Sequence, residues 1–281
     1  MRERLKIVGR QIGRHWILAG FVIFAVGFVM APHALERLFV YYPSRQLSAD
    51  PGSVGLGFQD IAVVAEDNVK LHGWFVPSEG ANRTMIIFHG NGGNIGDRVS
   101  WVRLLHDLGV HVIIFDYRGY GKSEGKPFEE GLYRDARAVY HWWARERRPR
   151  GEKLIIVGES LGGAVAVHLA ARVPAAALIL QSTFTSARNM AKTMFPIGLL
   201  LPLTGVRFNS ETEVAAIACP KLIIHGTRDE IVPFRLGQRL YDVAPHPKSF
   251  YPVPEAGHND LVWIAGTDYS RQLTTFLSTI P

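Results

Sequence analysis

An α/β fold, built on a mostly parallel eight-stranded sheet with helices on both faces, is predicted by three features of the chain. Runs such as MIIF, VIIF, LIIV and LIIH are apolar at nearly every position, the mark of strands covered on both faces. Between them lie stretches whose apolar residues recur at helical spacing. The series opens with two neighbouring strand-like runs and then alternates strand with helix, the order of a parallel sheet entered through an antiparallel pair. A length of 281 residues suits one large domain.

In chain order, residues 1–14 form a basic head with Arg2, Arg4, Lys6, Arg10 and Arg14 against Glu3 alone. Residues 15–35 carry no formal charge. As a helix they would extend about 31 Å, enough to cross a hydrocarbon core of roughly 30 Å. The basic flank predicts a signal anchor with its N-terminus in the cytoplasm and the following domain on the other, non-cytoplasmic side. A signal peptide cleaved after Ala25-Val26-Gly27 and a helix buried in the core are the alternatives. The charge-free stretch is long for the first and apolar on every face, which disfavours the second. Residues 36–58, broken by Pro43, Pro51 and three glycines, read as a connector. Within this region LERLFVYYPSR reads as a short amphipathic piece lying on the membrane surface or on the domain.

Strands are predicted over 61–65, 69–76, 84–89, 111–115, 153–157, 177–180, 221–225 and 249–253. Helices are predicted over 97–108, 130–145, 161–172, 234–243 and 263–278. These elements make residues 59–281 one catalytic domain, with a small cap at about 183–219 between the sixth and seventh strands.

Composition narrows the function. Most of the net charge of +6 sits in the basic head, and no aromatic-interleaved basic stripe follows, which argues against nucleic-acid binding. Cys219 is the single cysteine, so no internal disulfide forms; it precedes Pro220 and a buried strand and reads as a small core residue. The histidines at 106, 111, 141 and 168 stand apart, no cluster has metal-ligand spacing, and no metal or cofactor is expected.

The chemistry concentrates at 154–172, where a buried strand runs through Gly158-Glu159-Ser160-Leu161-Gly162 directly into a helix. Between strand and helix, the G-x-S-x-G spacing demands a tight turn that exposes a serine hydroxyl above the free N–H groups of the helix start. Ser160 is the candidate nucleophile, and it needs a base. Two later strands end in Gly-Thr-Arg-Asp-Glu and Pro-Glu-Ala-Gly-His-Asn-Asp, and loops after parallel strands converge on one sheet edge. His258 is therefore the candidate general base and Asp229 the acid that orients it. Glu230 and Asp260 are nearby alternatives, Asp260 reading better as the N-cap of the last helix. The N–H groups of Leu161 and of the glycine-rich loop His89–Asn94 are candidate oxyanion donors, with Asn91 favoured in the loop and Gly92 the alternative. That loop lacks both the Lys-Ser/Thr ending of a phosphate-binding loop and the spacing of a dinucleotide site.

The motifs HGNGGN, FDYRGYGKSEG, VGESLGG, HGTRDEIVP and AGHND, in that order, resemble the α/β-hydrolase superfamily. The resemblance covers roughly residues 35–281 and points within it to the BEM46-like branch, which includes ABHD13- and ABHD17-type proteins and bacterial relatives. An N-terminal anchor followed by a YYPSR-like segment is similar to the bacterial members. The resemblance implies a nucleophile at Ser160, an acid at Asp229, a base at His258 and oxyanion donors at Asn91 and Leu161. It also implies that Asp116, Arg118, Gly119 and Ser123 shape a loop without doing chemistry. Some eukaryotic relatives remove acyl groups from protein thioesters and are anchored through a cysteine-rich head. This chain has no such head, so that activity does not carry over.

The expected reaction is hydrolysis of a carboxylic ester or thioester through an acyl-enzyme, on a small-molecule or lipid-like acyl substrate. A serine peptidase or amidase with the same three residues, and a membrane-tethered scaffold without activity, are the alternatives. Residues 194–205, MFPIGLLLPLTG, form an apolar run in the cap. Met194, Phe195, Leu199 and Leu200 are candidates for a lip that receives the acyl chain, a packed cap helix being the competing reading.

Overall fold

The computed structural model describes residues 33–194, 197–199 and 204–280. Eight strands form one sheet in the order β10-β9-β8-β7-β4-β6-β3-β2. They are β2 (Gln59–Val64), β3 (Lys70–Val76), β4 (Arg83–Phe88), β6 (His111–Phe115), β7 (Lys153–Glu159), β8 (Ala177–Gln181), β9 (Lys221–Gly226) and β10 (Lys248–Val253). β3 runs antiparallel to both its neighbours, and every other pairing is parallel.

Each central strand feeds two cores, because successive side chains point to opposite faces. Ile86, Phe88, Ile156 and Leu178 face one layer, which is covered by α3 (Glu129–Glu146), α4 (Leu161–Ala170) and α7 (Phe234–Val243). Met85, Ile87, Ile155 and Ile179 face the other, covered by α2 (Val99–His106) and α9 (Thr267–Ser278). Two-sided burial is the reason these strands are continuously apolar.

Three features differ from the sequence expectation. The helix expected over 263–278 is two helices, α8 (Leu261–Ala265) and α9, separated by Gly266 at φ 53°. The helix expected from 97 starts with a 3₁₀ turn, Ile95–Arg98, capped by the Asn94 side chain, which accepts from the Gly96 N–H. The stretch read as a connector contains all but the first two residues of α1 (Ala34–Phe39), a two-residue strand β1 (Tyr42–Pro43) and a 3₁₀ turn, Pro51–Val54. β1 pairs in parallel with β5 (Gly92–Gly93) in the glycine-rich loop, forming a second, two-stranded sheet.

α1 is fastened through a buried acid. Glu36 accepts from the Tyr41 hydroxyl at 2.5 Å and from the Glu129 N–H, and so caps α3 from another part of the chain. Glu129 in turn accepts from the N–H groups of Arg207 and Phe208, at 2.7 and 2.8 Å. These two residues belong to the segment between β8 and β9, which also holds α5 (Ala187–Ala191) and α6 (Ser210–Glu213). No helix among the described residues is long and apolar enough to cross a membrane. The anchor expected over 15–35 lies outside the described residues except for its last three positions, which lead into and begin α1.

Candidate active site

Ser160 sits at the turn between β7 and α4 with φ 51° and ψ −117°, a backbone conformation that costs a non-glycine residue of order 1–3 kcal/mol. The surroundings hold it there. Its N–H donates to the Gln181 carbonyl at 2.9 Å, and its carbonyl accepts from the Thr183 hydroxyl at 2.7 Å. Strand and helix approach closely enough to exclude any side chain at the flanking glycines. A Cβ on Gly162 would lie 2.0 Å from the Phe88 carbonyl oxygen, and one on Gly158 would lie 2.5 Å from that of Gly162.

The loops after β9 and β10 reach the same edge of the sheet. His258 Nε2 is 3.1 Å from Ser160 Oγ, and His258 Nδ1 is 2.8 Å from Asp229 Oδ2. Asp229 Oδ1 accepts from the N–H groups of Ile231 and Val232, at 3.0 and 2.7 Å. Burial alone would raise the Asp229 carboxyl. Hydrogen bonds from His225 and His258, with the Val232 N–H, outweigh it and hold the pKa at about 2. The neighbouring acids take other places. Among the described residues, Glu230 accepts only from the backbone N–H of His258, at 3.4 Å. Asp260 precedes α8 but does not cap it, because its side chain turns back to accept from the Gly257 N–H at 2.7 Å.

His225 was not among the residues singled out from the sequence. It is fully buried, with Nε2 2.8 Å from the Val232 carbonyl and 3.3 Å from Asp229 Oδ2. A histidine at the end of an apolar strand reads as core; only the return of the following loop brings it against the acid.

The glycine-rich loop is clamped by the N-terminal segment. The Tyr42 N–H donates to the Asn91 carbonyl at 2.9 Å and the Ser44 N–H to that of Gly93 at 3.0 Å. The Asn91 side chain donates to the Val40 carbonyl at 2.9 Å, and that of Asn94 to the carbonyls of Ser44 and Gln46. The Asn91 backbone N–H has no acceptor among the described residues, and Leu161, first in its helix, has no intrahelical one. Beneath the loop lie two buried titratable groups whose charged forms burial disfavours. Burial lowers His89 to about 3 and raises Asp116 to about 7. Ser123 donates to the Asp116 carbonyl, and Arg118 lies between Asp67 and Asp135, at 2.7 and 2.8 Å.

Two cavities meet at Ser160. An apolar one of about 120 Å³ is lined by Phe39, Tyr42, Phe184, Met190 and Phe208, among others. A polar one of about 350 Å³ contains Asn91, Arg98, Glu159 and His258. The polar cavity adjoins a larger space of about 760 Å³ beside Trp101 and Trp263. Of the four lip candidates, Met194 lines the apolar cavity. Leu199 is exposed and does not line it, and Phe195 and Leu200 lie outside the described residues. Among the described residues no three His, Cys, Asp or Glu side chains gather as a metal site.

A mostly parallel sheet whose strand-end loops present Ser160, Asp229 and His258 at one edge defines an α/β hydrolase. The chain belongs to the α/β-hydrolase superfamily, and residues 83–203 match the family model described as the alpha/beta hydrolase fold. The chain is 37% identical over 264 residues to the uncharacterized protein Rv2307c of Mycobacterium tuberculosis, covering 93% of this chain and 94% of that one. It is 38% identical over 198 residues to the lysophosphatidylserine lipase ABHD12 of Danio rerio, covering 63% of this chain and 51% of the lipase. The esterase Pf2001 of Pyrococcus furiosus shares the fold, with a TM-score of 0.73 at 22% identity over 85% of this chain and 99% of that one.

Proposed function

We propose that this hydrolase cleaves carboxylic esters or thioesters through an acyl-enzyme formed on Ser160. The observation that carries the reading is the unbroken hydrogen-bonded series from Ser160 Oγ through the His258 ring to Asp229. His258 Nε2 takes the hydroxyl proton as Oγ attacks the acyl carbon, and Asp229 holds the proton on Nδ1 and stabilises the imidazolium. The oxyanion is received by the free N–H groups of Asn91 and Leu161. Collapse expels the alcohol or thiol, which takes its proton from His258. Water, deprotonated by His258, then releases the acid and frees Ser160.

The two cavities suit a divided substrate, with the acyl chain in the apolar one and a polar leaving group beside Arg98 and Glu159. The activities of ABHD12 and Pf2001, lipase and esterase, agree with a lipid or ester substrate. The motif order and the YYPSR-like segment support a place in the BEM46-like branch. The charge-free stretch 15–35 behind a basic head supports a membrane anchor, with the catalytic domain on the non-cytoplasmic side.

A fluorophosphonate probe tests the chemistry. It should label the full-length protein, fail on Ser160→Ala and react far more slowly with His258→Ala. A folded parent that resists the probe would refute the activated serine.

A further inference from the structure

We propose that the mouth of the apolar cavity is a docking surface for a lipid bilayer, from which an acyl chain enters the cavity without passing through water. The proposal rests on the ester-hydrolase reading for its kinetic test, but its structural basis is separate. Tyr42, Met194 and Ile231 line the cavity and are nevertheless 41–57% exposed, so they form its rim. Leu38 and Leu199 are 65% and 68% exposed and stand next in the chain to residues tied to the cavity. Leu38 precedes the cavity residue Phe39, and Leu199 follows Gly198, whose N–H donates to the Met194 carbonyl. Tyr42, Met194 and Ile231 thus give the opening an apolar rim that water solvates poorly.

The occupant is indicated by the chain that leads to this face. Residues 16–31 are apolar, no charge occurs from 15 to 35, and the described structure begins at His33. Phe39 lies only six positions after His33, about 9 Å of helix. A bilayer that holds the apolar stretch therefore lies beside the rim. Glu36 fastens α1 to the domain at this point, which limits how far the cavity can turn from the bilayer. A second exposed apolar pair, Trp263 and Ile264, lies elsewhere, with Trp263 beside the large space next to the polar cavity. No comparable apolar stretch leads to it.

The test uses full-length protein reconstituted in phosphatidylcholine vesicles. Its substrates are a long-chain monoacylglycerol in the bilayer and a short, water-soluble nitrophenyl ester. Leu38→Asp should slow hydrolysis of the bilayer ester at least tenfold and change the soluble reaction less than twofold. In a Cys219→Ser background, a fluorophore at Leu199→Cys should be quenched by nitroxide-bearing lipids and one at Trp263→Cys should not. Equal quenching at the two positions, or unchanged hydrolysis of the bilayer ester by Leu38→Asp, would overturn the proposal. If Leu38→Asp slows both reactions alike, the quenching comparison decides. A parent inactive on both esters would instead count against the hydrolase reading, and the quenching would still report on docking.

Discussion

The Asn91 side-chain amide donates to the main-chain carbonyl of Val40 at 2.9 Å, across 51 residues of sequence. This bond, with the β1–β5 pairing, makes the N-terminal segment part of the frame that sets the glycine-rich loop. Asn91→Ala keeps the residue 91 N–H but removes the tie. Loss of a whole oxyanion donor costs 10²–10³ in rate, and a loosened one costs less, about tenfold in kcat with KM little changed. Steady-state kinetics on a soluble ester check this; an unchanged kcat would mean that the backbone ladder alone holds the loop.

His225 gives a second prediction. Its Nε2 lies between the Val232 carbonyl and Asp229 Oδ2, so it helps fix the carboxylate that fixes His258. His225→Leu removes the donor and should lower kcat/KM about tenfold, as expected of a partner one step removed from the reacting groups. His225→Gln restores an N–H and should recover part of the loss. Equal rates for the two variants would make His225 a packing residue only.

The glycines of the nucleophile turn should tolerate no side chain. Gly162→Ala puts a methyl 2.0 Å from the Phe88 carbonyl oxygen, and neither backbone can yield without opening the sheet. Destabilisation of at least about 3 kcal/mol is expected. Gly57→Ala, where no atom lies within 4 Å of the new methyl, should stay within about 0.5 kcal/mol of the parent. Urea unfolding of the two variants makes the comparison.

Asp116 should make stability depend on pH. Burial raises its pKa to about 7, against about 3.9 in an unfolded chain. Between these values the folded state binds more protons than the unfolded one, so stability falls as pH rises through the window and levels off above about 7. Asp116→Asn keeps an acceptor for the Ile95 N–H, which now bonds to Oδ1, and cannot ionise. It should be more stable than the parent at pH 8 by roughly 2–4 kcal/mol, with the difference shrinking toward pH 4. Urea midpoints at the two pH values test this; an equal difference at both would place the effect outside ionisation.

The sheet was legible because burial on both faces writes itself directly into composition. Ile86 and Ile87 face different cores, yet both must be apolar. The meeting of Ser160, Asp229 and His258 was legible for a topological reason, since each follows a strand that ends at the same edge. Local pattern failed where distant contacts decide. Tyr42–Pro43 is too short to show a period and contains a proline, and it becomes a strand only by pairing with Gly92–Gly93. The helical period runs unbroken through Gly266, although the chain turns there at φ 53°. Asp260 stands where a cap belongs, but the nearby Gly257 N–H takes its carboxylate.

The bonds through Glu36 and Glu129 give the apolar cavity an elastic property. One wall, Phe39 and Tyr42, belongs to the segment that Glu36 fastens. Two other lining residues, Val206 and Phe208, belong to the segment that Glu129 fastens, and the two acids are joined at the Glu129 N–H. A ligand wedging the walls apart would strain both fastenings together, so the bulk the cavity accepts would be set by stiffness as well as by volume. Under the proposed reaction, selection among acyl-chain lengths would then be tuned in part at Glu36, a residue that lines no part of the cavity.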